Sequence, residues 1–104
     1  MVDLSLTIAA VEHRLALAER LCDDQPRTAE GRHAVSEIIR ALGEELTTEY
    51  GARIILGGTT VRVRIAGIHA TSTIGLAAAL HNWLRTARAR EALRLAREGG
   101  SNAE

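Results

Sequence analysis

The chain has 104 residues, of which 46% are hydrophobic and 25% are charged, a composition typical of one globular domain. All thirteen basic residues are arginine, so Schiff-base chemistry, a P-loop lysine and a lysine general base are excluded. The formal net charge is zero.

The zero net charge conceals an uneven distribution. Residues 1–50 contain ten acidic residues and five arginines, whereas residues 51–98 contain eight arginines and two acidic residues. Such polarity can steer a charged partner, or it can be neutralised within the fold or between two copies. Cys22 is the only cysteine and no apolar run of about 20 residues occurs, so we expect a reducing, cytoplasmic setting.

Two helices are predicted in the first half of the chain. Residues 4–22 carry an apolar stripe at alternating spacings of four and three, which indicates a helix packed along a partner helix. The stripe consists of Leu4, Ile8, Val11, Leu15, Ala18 and Cys22. It fits either a helix pair within the domain or contact between two copies. A second helix should begin near residues 26–28 and end at Tyr50, with Gly51 as a left-handed C-cap.

A β-hairpin is predicted next. Gly57-Gly58 between β-branched runs is typical of a two-residue type I′ turn, which would place Arg53 opposite Arg62. Side chains then sort by parity onto two faces. The aliphatic face, which should meet the helices, consists of Ala52, Ile54, Leu56, Val61, Val63 and Ile65. The other face consists of Arg53, Ile55, Thr60, Arg62, Arg64 and Ala66.

The arginines of this second face are the most informative polar feature. Like charges opposite each other on neighbouring strands are destabilising unless an anion lies near them. Arg53, Arg62 and Arg64 either extend into water, pair with acidic residues of the first two helices, or bind phosphate or an acidic protein surface.

The chain is predicted to end in a long helix over residues 73–98, entered through a loop and capped by Thr71, Ser72 or Thr73. Its buried face consists of Leu76, Leu80, Trp83, Leu84 and Ala87. The second half should project from the domain, with arginines that complement the helix macrodipole or form a basic rod. Residues 99–104 are predicted to be a disordered tail.

The sequence favours no enzymatic or metal chemistry. His13, His33, His69 and His81 lack the spacing of a zinc site, so we predict no metal and no cofactor. Ser72 has no nucleophile elbow around it, and we predict that the chain is not an enzyme. His81, Arg85 and Arg88 share one helical stripe, which is either a solvated surface or part of a site.

Two short motifs stand in the second half: Ile65-Ala-Gly-Ile-His-Ala-Thr-Ser-Thr-Ile-Gly and Ala79-Leu-His-Asn-Trp-Leu. Over residues 65–84, about a fifth of the chain, the sequence resembles small accessory proteins carried by phages and prophages. The resemblance implies a protein that acts by binding, of which anti-CRISPR inhibitors are one class. It implies no particular functional residue.

We therefore predict an α+β domain over residues 1–98 in the order ααββα, with helices covering one face of a small antiparallel sheet. A lone two-stranded sheet is marginally stable, so two copies are expected to pair through edge strands or through the first-helix stripe, forming a homodimer.

The predicted function is non-enzymatic binding to an acidic protein surface, as a phage or mobile-element accessory protein that inhibits a nucleic-acid-handling complex of the host. The alternative is direct nucleic-acid binding, and no membrane partner is expected. The candidate partner-binding residues are Arg53, Arg62, Arg64, Arg85 and Arg88.

Overall fold

The computed structural model describes residues 3–102. Within that range the chain forms three helices and one three-stranded antiparallel sheet of strand order β1-β2-β3. The elements are α1 (Leu4–Asp23), α2 (Ala29–Tyr50), β1 (Arg53–Gly57), β2 (Thr60–Ile65), β3 (Ile68–Ser72) and α3 (Leu76–Asn102). The predicted α+β class is confirmed. The order is ααβββα rather than ααββα, because a third strand replaces the predicted loop.

The two N-terminal helices begin and end where local chemistry favours it. The side chain of Asp3 accepts a hydrogen bond from the Leu6 N–H at 3.3 Å, and that of Thr28 accepts one from the Gly31 N–H at 3.0 Å. α2 ends before Gly51, which has the predicted left-handed conformation with φ 63°. The apolar stripe of α1 is buried in the chain's own core, so it is not free to contact another copy.

The core lies between α3 and the inner face of the sheet, and α1 packs against both other helices. Trp83 is the largest fully buried side chain, and its Nε1–H donates to the Ile65 carbonyl at 3.1 Å. Val63 and Ile65 of β2 and Ile68 of β3 are buried in the same cluster. This packing covers one face of the sheet and leaves the other without a helix.

The turn between β1 and β2 lies one residue later than predicted. Gly57 pairs with Thr60, so Gly58 and Thr59 form the turn, and only Gly58 has a positive φ, as in type II′. The predicted register, with Arg53 opposite Arg62, is therefore wrong. The observed register places Leu56 opposite Val61 and Ile54 opposite Val63, so apolar side chains of the inner face meet each other.

β3 was predicted to be a loop leading into the last helix. It instead pairs antiparallel with β2 from Ile68 to Ser72, after a two-residue turn in which Ala66 and Gly67 have φ of 52° and 76°. Ile68 is buried and Ala70 half-buried on the inner face, whereas His69 and Thr71 are exposed on the outer face. This alternation is the period of two that a half-buried strand requires.

The bounds of α3 also differ from the prediction. Gly75, with φ 140°, precedes the helix, and its carbonyl accepts the first helical hydrogen bond from the Ala79 N–H at 3.1 Å. Ser72 caps no helix but accepts a hydrogen bond from the Ile74 N–H at 3.0 Å. α3 continues to Asn102, so residues 99–102 are helical where a disordered tail was predicted. Residues 103–104 lie outside the described part.

Candidate functional site

The outer face of the sheet carries two rows of side chains that run across all three strands. Arg53, Arg64 and His69 form one row, and Ile55, Arg62 and Thr71 form the other. All six residues are exposed. We call these six residues the open sheet face.

The open sheet face concentrates positive charge. Arg53 of β1 lies directly opposite Arg64 of β2, with Arg62 diagonally across from Arg53. Like charges in this arrangement repel each other and lower the stability of the sheet. Parity had already placed these three arginines on one face, and the structure confirms that placement although the opposing pair differs.

The three arginines have no ion pair or hydrogen-bond partner among the side chains that the structure describes. Six of the eight acidic residues of α1 and α2 pair with other side chains. Arg14 pairs with Glu45 and Glu49, Arg40 with Glu37 and Glu44, Arg88 with Glu12, and His81 with Glu19. The hypothesis that acidic residues of the first two helices neutralise the sheet arginines is therefore wrong.

The two helix arginines of the predicted site, Arg85 and Arg88, contact different elements of the fold. Arg88 joins α3 to α1 through Glu12. Arg85 donates to the Asn82 Oδ1 at 2.7 Å, and the Asn82 Nδ2 donates to the Thr71 carbonyl at 2.8 Å, so Arg85 lies beside the outer edge of β3. The five predicted residues thus do not form one surface: three are on the open sheet face, one is at its β3 edge, and one is in a helix contact.

A charged cluster that sequence reasoning missed joins α1 to the middle of α3. Glu91 is only 7% exposed, its Oε1 accepts a hydrogen bond from the Ser5 hydroxyl at 2.7 Å, and its Oε2 accepts one from the Arg94 Nε at 3.3 Å. The hydrogen bonds from Arg94 and then from Ser5 hold the pKa of Glu91 below its usual value. Nothing local in the sequence pairs Ser5 with a residue 86 positions later.

An apolar groove of about 630 Å³ lies between α2 and β1, and sequence reasoning missed it as well. Its walls include Val35, Ile39 and Gly43 of α2 and Ile54 and Leu56 of β1. Leu56 belongs to the inner face by parity but is 76% exposed, because α2 covers only part of β1. An exposed apolar surface of this kind is a common feature of interaction sites.

The remaining chemistry of the described residues is limited. Burial, followed by the negative charges of Asp23 and Glu19, raises the pKa of the Cys22 thiol, which makes the reactive thiolate rarer. Within residues 3–102, no group of three or more His, Cys, Asp or Glu side chains is placed to hold a metal ion. No helix in the same range is both long and apolar enough to cross a membrane.

Comparison of the chain with protein-family models, with curated proteins and with solved structures found no match.

Proposed function

We propose that this protein is a non-enzymatic binding protein whose open sheet face contacts an acidic surface of a partner protein. The observation that carries the proposal is the set of three exposed arginines, Arg53, Arg62 and Arg64, that lack an ion-pair partner among the described side chains. Keeping Arg53 opposite Arg64 lowers the stability of the free protein. An anionic partner would remove this repulsion on binding.

The chemistry of the face favours a protein partner. Arginine and exposed aliphatic side chains together are typical of protein interfaces, in which guanidinium groups form bidentate hydrogen bonds with carboxylates. Ile55 lies directly opposite Arg62, two residues from Arg53, and is 58% exposed. The open sheet face contains no aromatic side chain on which a base could stack.

In its biological setting, we propose a cytoplasmic accessory protein of a phage or mobile element that inhibits a nucleic-acid-handling complex of the host, as anti-CRISPR proteins do. The support for this setting is the resemblance of residues 65–84 to small phage and prophage proteins, together with a surface whose charge would mimic that of a nucleic-acid-binding protein. A protein with that charge can occupy acidic surfaces of such a complex.

The test is retention of host proteins on the immobilised chain. The variant R53A/R62A/R64A removes three charges from the open sheet face, and R20A/R27A/R32A removes three exposed arginines elsewhere, so both change the net charge equally. We expect the wild type and the control variant to retain the same host protein complex and the sheet variant to lose it. Retention by the sheet variant, or equal loss by both variants, would overturn the proposal.

Direct nucleic-acid binding is the second candidate, because no carboxylate interrupts the open sheet face. A mobility shift with double- and single-stranded DNA and RNA distinguishes the two. Nucleic-acid binding through three arginines should weaken with salt with a log–log slope of about −2 to −3, and R53A/R62A/R64A should abolish it. If no shift occurs at about 50 mM salt, where phosphate contacts are strong, this candidate is excluded.

A further inference from the structure

The free edge of the sheet at β1 is the second feature without a partner inside the chain. In a hairpin closed by a two-residue turn, the residues that flank the turn exchange backbone hydrogen bonds, and so does every second pair. In β1 these residues are Gly57, Ile55 and Arg53. The N–H and C=O groups of Ile54 and Leu56 therefore point away from β2, toward the groove edge.

The opposite edge of the sheet is partly closed. There the outward Thr71 carbonyl accepts the hydrogen bond from the Asn82 Nδ2 at 2.8 Å, and α3 packs along β3. No described group donates to or accepts from the backbone of Ile54 or Leu56 on its outer side. Of the two edges, β1 is the one that is open to another strand.

We propose that a second copy of this chain occupies this edge, with the two β1 strands antiparallel about a twofold axis at Ile55. This register pairs Ile54 with Leu56 of the partner subunit and Leu56 with Ile54 of the partner subunit. All four outward backbone groups on each strand then form hydrogen bonds. The two three-stranded sheets become one sheet of six strands.

The backbone selects this register over its two neighbours. An axis at Ile54 would pair Leu56 with Ala52 of the partner subunit, but the Ala52 N–H already donates to the Leu46 carbonyl at 3.2 Å. An axis at Leu56 would pair Ile54 with Gly58 of the partner subunit, which lies in the turn. The register centred on Ile55 avoids both problems.

Side-chain chemistry is complementary in the same register. Arg53 lies opposite Gly57 of the partner subunit, so the new strand pair adds no opposed arginines. Ile55 meets Ile55 of the partner subunit on the outer face, and the exposed Leu56 is covered on the helix side.

The pairing extends the site on which the proposed function rests. The central row of the joined sheet reads Thr71, Arg62, Ile55, then the same residues of the partner subunit in reverse order. Six arginines then share one continuous face, three from each copy. A partner with a long acidic surface would contact both copies at once.

The test is the mass of the protein in solution, by size-exclusion chromatography with light scattering over a range of micromolar concentrations. We expect the wild type to be a dimer. Leu56→Lys should convert it to a monomer, since a lysine on an edge strand opposes strand pairing. Leu6→Lys changes a similarly exposed leucine on α1 and should stay dimeric. A wild type that is monomeric at every concentration, or Leu56→Lys that remains dimeric, overturns the proposal.

Two further measurements keep the test decisive if Leu56→Lys fails to fold. Leu56→Pro removes only the outward N–H and leaves the hydrogen bonds to β2 intact, and it should also be monomeric. In the wild type, the amides of Ile54 and Leu56 should be protected from hydrogen exchange, and protection should fall on dilution. Rapid exchange of both amides at high concentration overturns the proposal.

The outcomes separate this inference from the proposed function. R53A/R62A/R64A should remain a dimer, because none of its changes removes an edge hydrogen bond. A monomeric wild type that still loses its partner in R53A/R62A/R64A contradicts only the second copy at β1. A dimer whose partner binding is unaffected by R53A/R62A/R64A contradicts only the proposed function.

Discussion

The inner and outer faces of the sheet are formed by alternating residues of the same strands, yet their side chains have opposite surroundings. On the inner face, Val63, Ile65 and Ile68 are buried against α3. On the outer face, Arg53 and Arg64 face water and each other. The difference shows that the inner face supplies stability, whereas the outer face retains like charges that lower stability.

The arginines of the helices sharpen this contrast. Arg14, Arg40 and Arg88 each contact one or two carboxylates. Exposed pairs of this kind contribute little to stability individually. They nonetheless engage five glutamates of α1 and α2, whereas the sheet arginines have no carboxylate partner among the described residues. The predictions for Trp83 and Arg64 test this division between the two faces directly.

The largest effect is expected on the inner face. Trp83→Ala should lower the free energy of unfolding by about 3–5 kcal/mol, because it leaves a large cavity in the core. Trp83→Phe should cost about 1–3 kcal/mol, since the Ile65 carbonyl loses its hydrogen bond from the indole. Urea unfolding measures both. If R53A/R62A/R64A destabilises the protein as much as Trp83→Ala, the division between the faces is wrong.

A smaller effect, an increase in the free energy of unfolding, is expected at the turn that leads into β3. Ala66 has φ 52°, a left-handed conformation that is unfavourable for alanine. Ala66→Gly should therefore raise the free energy of unfolding by up to about 1 kcal/mol, after allowance for the greater freedom of glycine in the unfolded chain. Ala70→Gly in β3, the strand that follows the turn, is the control and should destabilise. Thermal unfolding of both variants measures the difference in sign.

Arg64→Thr removes the arginine opposite Arg53. Because this relieves the repulsion on the outer face, the free energy of unfolding should rise by about a few tenths of a kcal/mol. Arg62→Thr is the matched control, because Arg62 lies opposite Ile55 and Thr71. The two substitutions change β-propensity equally. The difference between the variants should shrink at high salt, where exposed charges are screened. A difference that is independent of salt would contradict repulsion as its cause.

The cluster at Glu91 predicts a dependence of stability on pH. Its folded-state pKa is lowered by hydrogen bonds from Arg94 and then Ser5. The contribution of Glu91 is therefore present above its unfolded pKa of about 4.3 and is lost as pH falls through the lower folded pKa. Urea unfolding from neutral to acidic pH should show a steeper loss for the wild type than for Glu91→Gln. Parallel curves would show that Glu91 has no lowered pKa.

The division of the sheet into two faces could be predicted from sequence even though the register could not. Moving the turn from Gly57-Gly58 to Gly58-Thr59 shifts each β2 partner by two positions. Because side chains alternate with a period of two, that shift leaves every residue on its predicted face. The turn itself was mispredicted because two adjacent glycines also fit a type I′ turn. In the observed register Leu56 lies opposite Val61 and Ile54 opposite Val63.

The third strand and the charged contacts could not be predicted from local patterns. Gly67 suits a type I′ hairpin turn but Ala66 does not, and the hydroxyl side chains of residues 71–73 resemble a helix cap. The ion pair between Glu12 and Arg88 joins residues 76 positions apart, so it depends on how α1 and α3 pack. This packing gives Arg88 a carboxylate partner. No helix in the described part of the chain covers the outer face of the sheet, where Arg53, Arg62 and Arg64 lie.

The most direct test of the central claim is the dissociation constant for the host protein retained by the wild type. It should be measured by calorimetry for the wild type, R53A/R62A/R64A and R20A/R27A/R32A. Charge-assisted hydrogen bonds contribute about 1.5–3 kcal/mol each, so the sheet variant should bind about 100-fold more weakly or worse. The control should bind within about threefold of the wild type. Equal dissociation constants for the wild type and the sheet variant would contradict the open sheet face as the binding surface.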